Sequence, residues 1–194
     1  MAHQKYGLLI AISIALSACN TPQIVETYDE FKKAKICRLD PYIIRREFTG
    51  PTSRVTTISL EAQPDQSIKA ILLSSITIGL FANYDGFSPT SKIKFILKSP
   101  ENQTEELVFQ GRDRSITHNS YQVNSTYVTQ TRIIRNIALT FDLSLQDLRK
   151  IITAPTTGFY FESGNDPVKG ELDASDKEAF KQFLDKCMLR LGEK

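Results

Sequence analysis

Beyond the first twenty residues the chain has a single histidine, His118, and any Ser-His-Asp or Cys-His chemistry would have to use it. It stands in Gly111-Arg112-Asp113-Arg114-Ser115-Ile116-Thr117-His118-Asn119-Ser120, which reads as a polar loop between strands. Loops held by a rigid β scaffold are where binding residues concentrate. Arg112 and Arg114 lie two apart, so in an extended segment they point the same way and form a candidate clamp for an anionic group. Arg112, Arg114 and His118 are therefore the candidate partner-binding residues. Paired carboxylates, as in glycoside hydrolysis, are a second candidate chemistry. The acids available for it are Asp85, Asp113, Asp166 and Asp173, all in turn-like positions where aspartate is common for backbone reasons.

Other chemistry finds no footing. One histidine and no Cys-x-x-Cys give no zinc pattern, so no metal is expected. The acidic residue near Asn83-Tyr84-Asp85 lacks the alternating spacing of a calcium loop. No glycine-rich phosphate loop is present, and no cofactor is expected. The precursor carries +2, and removing residues 1–18 takes Lys5 with them, leaving 23 basic against 22 acidic residues, or +1. A balance so close to neutral gives no support for nucleic-acid binding.

The elements that must position these groups follow from hydrophobic periodicity. Tyr42–Phe48 and Val55–Ala62 flank Thr49-Gly50-Pro51-Thr52 and read as a hairpin. Ile68–Ala82 alternates at period two with apolar residues on both faces, the pattern of a central strand covered on both sides. Lys92–Lys98 places Ile93, Phe95 and Leu97 inward, and Glu106–Gln110 returns after Ser99-Pro100-Glu101-Asn102. Tyr121–Val128 and Ile133–Leu143 continue the β pattern. Ser144 with Asp147 opens a helix, and Phe159–Glu162 and Val168–Leu172 are short strands. Ser175-Asp176-Lys177-Glu178 reads as the capping box of a last helix with Phe180, Phe183, Leu184, Cys187 and Leu191 on one face. Tyr28–Leu39 is ambiguous: Tyr28, Phe31 and Ala34 fit a helical stripe, whereas Ile36, Cys37 and Leu39 fit an extended start. The expected fold is one α+β domain over 28–194: seven to nine mostly antiparallel strands, as a curved sheet or two-layer sandwich, with C-terminal helices.

The N-terminus gives the address. Lys5, an apolar run from Leu8 to Leu16, and the small residues Ser17 and Ala18 form the three-part layout of a secretory signal peptide over 1–18. An apolar core of roughly 10 residues is too short to span ~30 Å of hydrocarbon. Leu16-Ser17-Ala18-Cys19 resembles the lipobox of bacterial lipoproteins. The resemblance implies cleavage before Cys19, which then carries lipid as the new N-terminus, followed by a linker over 19–27. A plainly cleaved signal with a chance cysteine is the alternative. Asn20 is not the Asp that resembles an inner-membrane retention signal in enteric bacteria, so the expected location is the periplasmic face of the outer membrane. With Cys19 lipidated, Cys37 and Cys187 remain as an even pair in an oxidising compartment, expected as a disulfide rather than two buried thiols. Two function classes follow: a non-enzymatic envelope lipoprotein that binds or supports an envelope protein or anionic component, or a carboxylate-dependent hydrolase of cell-wall or glycan material. The absence of out-of-place polar clusters favours the first.

Overall fold

Alternation at period two builds the main sheet. On β3 (Thr52–Ala62) the even positions Arg54, Thr56, Ile58, Leu60 and Ala62 are buried, and on β4 (Ile68–Ile78) Ile68, Ala70, Leu72, Ser74 and Ile76 are. The two pair antiparallel with Ile58 opposite Leu72 and Leu60 opposite Ala70, so one register buries both apolar sets on the same face. The turn between them is closed by Gln63 N–H donating to Ser67 O (2.9 Å) and by Asp65, whose Oδ1 accepts from the Ser67 amide and hydroxyl. The computed structural model describes residues 21–30, 33–49, 52–78, 86–124, 129–164 and 166–188.

Four more strands extend this pair: β1 (Ile24–Asp29), β2 (Ala34–Thr49), β7 (Arg112–Asn124) and β8 (Thr129–Leu143). The order is β1-β2-β3-β4-β8-β7. A second sheet has the order β10-β9-β5-β6, from β5 (Lys92–Lys98), β6 (Thr104–Gln110), β9 (Thr156–Phe161) and β10 (Val168–Glu171). Every pairing is antiparallel.

The two sheets share one core. Phe95 meets Phe161 edge-on at 5.7 Å within the smaller sheet, and Phe109 of β6 reaches Phe141 of β8 at 5.6 Å across to the larger one. Each such ring contributes roughly 1.5–3 kcal/mol by leaving water. Gly111 sits where the chain passes from β6 to β7, and a Cβ there would collide with the Leu139 side chain. Any larger residue there would have to push Leu139 aside in the core.

Both described α-helices pack at the C-terminal end. α1 (Leu145–Thr153) is capped by Ser144 and Asp147 in a reciprocal box and buries Leu148 and Ile151. Its end is held by Lys177 Nζ, which donates to Ala154 O (2.7 Å) and Pro155 O (3.1 Å). α2 (Ala174–Phe183) buries Ala179, Phe180 and Phe183, and a π-helical turn over Leu184–Met188 brings Cys187 and Met188 into the core together. Cys187 is bonded to Cys37 of β2, with Cα atoms 5.4 Å apart, closing 150 residues. No described helix is long and apolar enough to cross a membrane.

The architecture corrects several expectations. The described chain is mostly antiparallel β with two short C-terminal helices, as expected, but so β-rich that the α+β label fits only in part, and the described residues hold ten strands instead of seven to nine. Residues 24–27 of the expected linker belong to β1, because they pair with β2. In the ambiguous stretch Tyr28–Leu39 residues 28–29 and 34–39 are strand, Lys33 has a left-handed backbone (φ 48°), and residues 31–32 lie outside the described residues. Gly111–Ser120 is not a loop: Arg112 onward is edge strand β7. The outer face of β4 is only half-buried at Ile71 and Leu73, so that strand is covered on one side. The last helix is capped two residues earlier than the Ser175 reading, by Asp173 with Asp176. Residues 79–82 of the expected central strand, Asp85 and the N-terminal leader lie outside the described residues.

Candidate functional site

The three candidate residues on β7 do not form the expected clamp. Asp113 adopts a left-handed backbone (φ 46°), and the pairing with β8 slips between Arg112 and Ser115. That bulge breaks the alternation which would have aligned Arg112 with Arg114. Arg112 instead forms an ion pair with Asp142 at 2.8 Å, both ends more than half exposed, a geometry that contributes little stability. Asp113 accepts from Thr140 Oγ1 at 3.1 Å.

His118 takes part in a different arrangement, one the register makes plain. It pairs with Arg135 of β8, Arg135 with Ile76, Ile76 with Arg54, and Arg54 with Glu47 of β2. Paired residues project to the same side, so Glu47, Arg54, Ile76, Arg135 and His118 form one row across five strands on the inward face. By alternation from Ser115, opposite outward Ala138, Arg114 falls on that face as well. The row lies toward the end of the sheet that carries Thr49, Thr52 and Ile78, here called the far end.

Arg54 is the most buried of the charged members, which apart from His118 sequence reasoning missed. Its side chain is 8% exposed and binds Glu47, the Asp166 carboxylate (2.9 Å), Asp166 O (2.9 Å) and Pro167 O (3.5 Å). It thus fastens the main sheet to the β9–β10 turn of the smaller one. A signal was present, since Arg54 keeps the even parity of Ile58 and Leu60. Next to it in the core, the hydroxyls of Thr56 and Ser74 face one another across β3 and β4 without a hydrogen-bond partner. Each such orphan costs roughly 1–3 kcal/mol.

The described candidate carboxylates do not assemble into a hydrolytic pair in a cleft. Asp113 is spent on the bulge, Asp166 on Arg54, and Asp173 on capping α2 through the Ser175 and Asp176 amides. One pair of acids does have divergent acidities. The Ser175 hydroxyl and the Asp176 amide hold Asp173 below its ordinary value, while burial pushes Asp176 up to about 6. Asp176 is 5% exposed and accepts from the Asp173 amide at 2.9 Å, which is a helix cap and not a solvent-facing acid. Tyr42 beside it is also raised, chiefly by burial.

This cap makes stability pH-dependent. An acid whose folded pKa is raised contributes stability that is complete below its unfolded value near 3.8 and lost as pH rises to about 6. Asp176→Asn keeps an acceptor for the Asp173 amide but no charge. It should match the parent near pH 3.5 and exceed it at pH 8 by up to about 3 kcal/mol, because each tenfold change in acidity is worth ~1.4 kcal/mol. Urea unfolding at the two pH values measures this. A variant weaker than the parent at pH 8 would mean that the helix N-terminus keeps the carboxylate ionised.

Among the described residues no group of three or more His, Cys, Asp or Glu is placed to hold a metal ion. An open depression of about 320 Å³ lies between the β5–β6 hairpin and the end of α1, where Lys150 pairs with Glu105 at 2.5 Å. It is remote in the fold from the arginine row. No protein-family model matches the chain, and no curated protein shows similarity to it.

Proposed function

We propose that the protein is a lipid-anchored component of the bacterial envelope, facing the periplasm from the outer membrane, and that its domain binds or supports another envelope component without catalysing a reaction. The observation that carries this reading is the division of the three cysteines. Cys37 and Cys187 take each other, leaving Cys19, which ends Leu16-Ser17-Ala18-Cys19. A 150-residue disulfide suits an oxidising compartment, where an unpaired cysteine needs another fate. The two sheets with a common core are read as a two-layer sandwich serving as a rigid scaffold. The binding reading rests on inward-facing Arg114 and His118 and on the structural employment of each described candidate carboxylate. An anionic envelope component is the expected ligand class.

The anchor is tested by fractionation. Cys19→Ala protein should leave the membrane fraction, or accumulate unprocessed, while the parent remains with membranes. Equal membrane association of a correctly processed Cys19→Ala protein would reject the proposal.

A further inference from the structure

Charge is not spread evenly over this nearly neutral chain. Of the charged residues in the far-end portions of the main sheet, residues 42–49, 52–58, 72–78, 116–124 and 129–137, Glu47, Arg54 and Arg135 lie in the inward row and Arg45 pairs with Glu47, which leaves Arg46 and Arg132 on the outer face with no acidic residue beside them. Two of the large exposed apolar side chains stand at the same end, Phe48 at 75% and Tyr121 at 41% exposure. The register puts them on one face. Phe48 lies in the row Phe48-Ser53-Thr77-Ile134-Asn119, on the side away from the core, and Tyr121 pairs with Arg132 one row further out on that side. Aromatic rings beside arginines are the side chains that favour a bilayer interface with anionic headgroups.

The chain direction points to the same end. β1 runs antiparallel to β2, and Gln23 O still accepts from Asp40 N–H (2.9 Å), so the backbone preceding Gln23 departs on the side of β2 that leads to Phe48. Cys19 lies four residues before Gln23, a reach of at most ~13 Å. Phe48 is eight residues past Asp40, about 25 Å along the strand. A lipid at Cys19 therefore tethers the domain close enough for the far-end tips to reach the headgroups.

Resting on the anchor proposed above, we propose that the outer face of the far end of the main sheet docks on the anionic bilayer surface, with Phe48 and Tyr121 seated at the interface and Arg46 and Arg132 toward the headgroups. The chain contains no tryptophan, so single probes are clean. Full-length lipidated protein carrying Phe48→Trp, Tyr121→Trp, or the control substitutions Tyr28→Trp and Val108→Trp is reconstituted into phosphatidylglycerol-containing vesicles and floated. Brominated acyl chains should quench positions 48 and 121 roughly twofold, as expected for rings ~5–10 Å into the boundary, and leave 28 and 108 unchanged. Arg46→Glu with Arg132→Glu should abolish that quenching while flotation persists. Flotation without quenching at 48 and 121 overturns the docking face alone and leaves it to a protein partner. Quenching at all four positions also overturns it, and loss of flotation overturns the anchor and the docking face together.

Discussion

Removing the Cys37–Cys187 bond, by Cys37→Ser with Cys187→Ser, should lower stability by roughly 2–5 kcal/mol. The bond closes 150 residues, for which loop-closure entropy of the unfolded chain sets an upper figure of about 5 kcal/mol. Its position adds a local effect. Cys187 sits on the π turn that ends α2, so the bridge is what fastens the last helix to the second strand of the main sheet. Without it, residues 184–188 should lose amide protection before the sheets do. The checks are thermal unfolding, where a loss of this size is a drop of ten degrees or so, and hydrogen exchange across α2. A double variant within ~0.5 kcal/mol of the parent would show that packing of Phe180 and Phe183 suffices to dock the helix.

Arg54→Met should be nearly as damaging, at roughly 3 kcal/mol, because it strips a buried cation from its acceptors while keeping the apolar stem. Glu47, 21% exposed, then keeps only its weaker pair with Arg45 (3.4 Å), and the backbone carbonyls of Asp166 and Pro167 lose their donor. Asp166 is 68% exposed and returns to solvent at small cost, which keeps the figure at the lower end for a buried pair. Arg54→Lys should recover only part of the loss, since a single ammonium cannot serve Glu47 and the β9–β10 turn together. Glu47→Gln combined with Arg54→Met should cost less than the two single changes summed, as members of one network do. A neutral Arg54→Met would mean that the join between the sheets is apolar throughout. Chemical denaturation of the four variants decides it.

Legibility in the sequence follows the strength of local pattern. Lys92–Lys98 is legible to the residue because its face alternates cleanly between lysines and Ile93, Phe95 and Leu97. Ser144 announces α1 because a cap and an apolar stripe coincide there. The second capping box reads two residues too late, since Asp173-Asp176 and Ser175-Glu178 satisfy the same spacing and only the burial of Asp176 in the folded chain separates them. β7 is invisible as a strand: an edge strand with Arg, Asp, Ser, Thr and Asn on both sides carries no alternation to read. The arginine row is equally hidden. It exists only in the register between five strands, and of its charged members Arg54 alone, at the parity of Ile58 and Leu60, carries a signal in its own segment.

The most direct measurement of the anchor is the mass of the N-terminal peptide released from protein isolated with membranes. Processing before Cys19 and lipid on its sulfur predict a peptide that begins at Cys19 and is heavier by a diacylglyceryl group, with Cys37 and Cys187 recovered linked to one another. A peptide that begins elsewhere, or an unmodified Cys19 in membrane-isolated protein, would contradict the account.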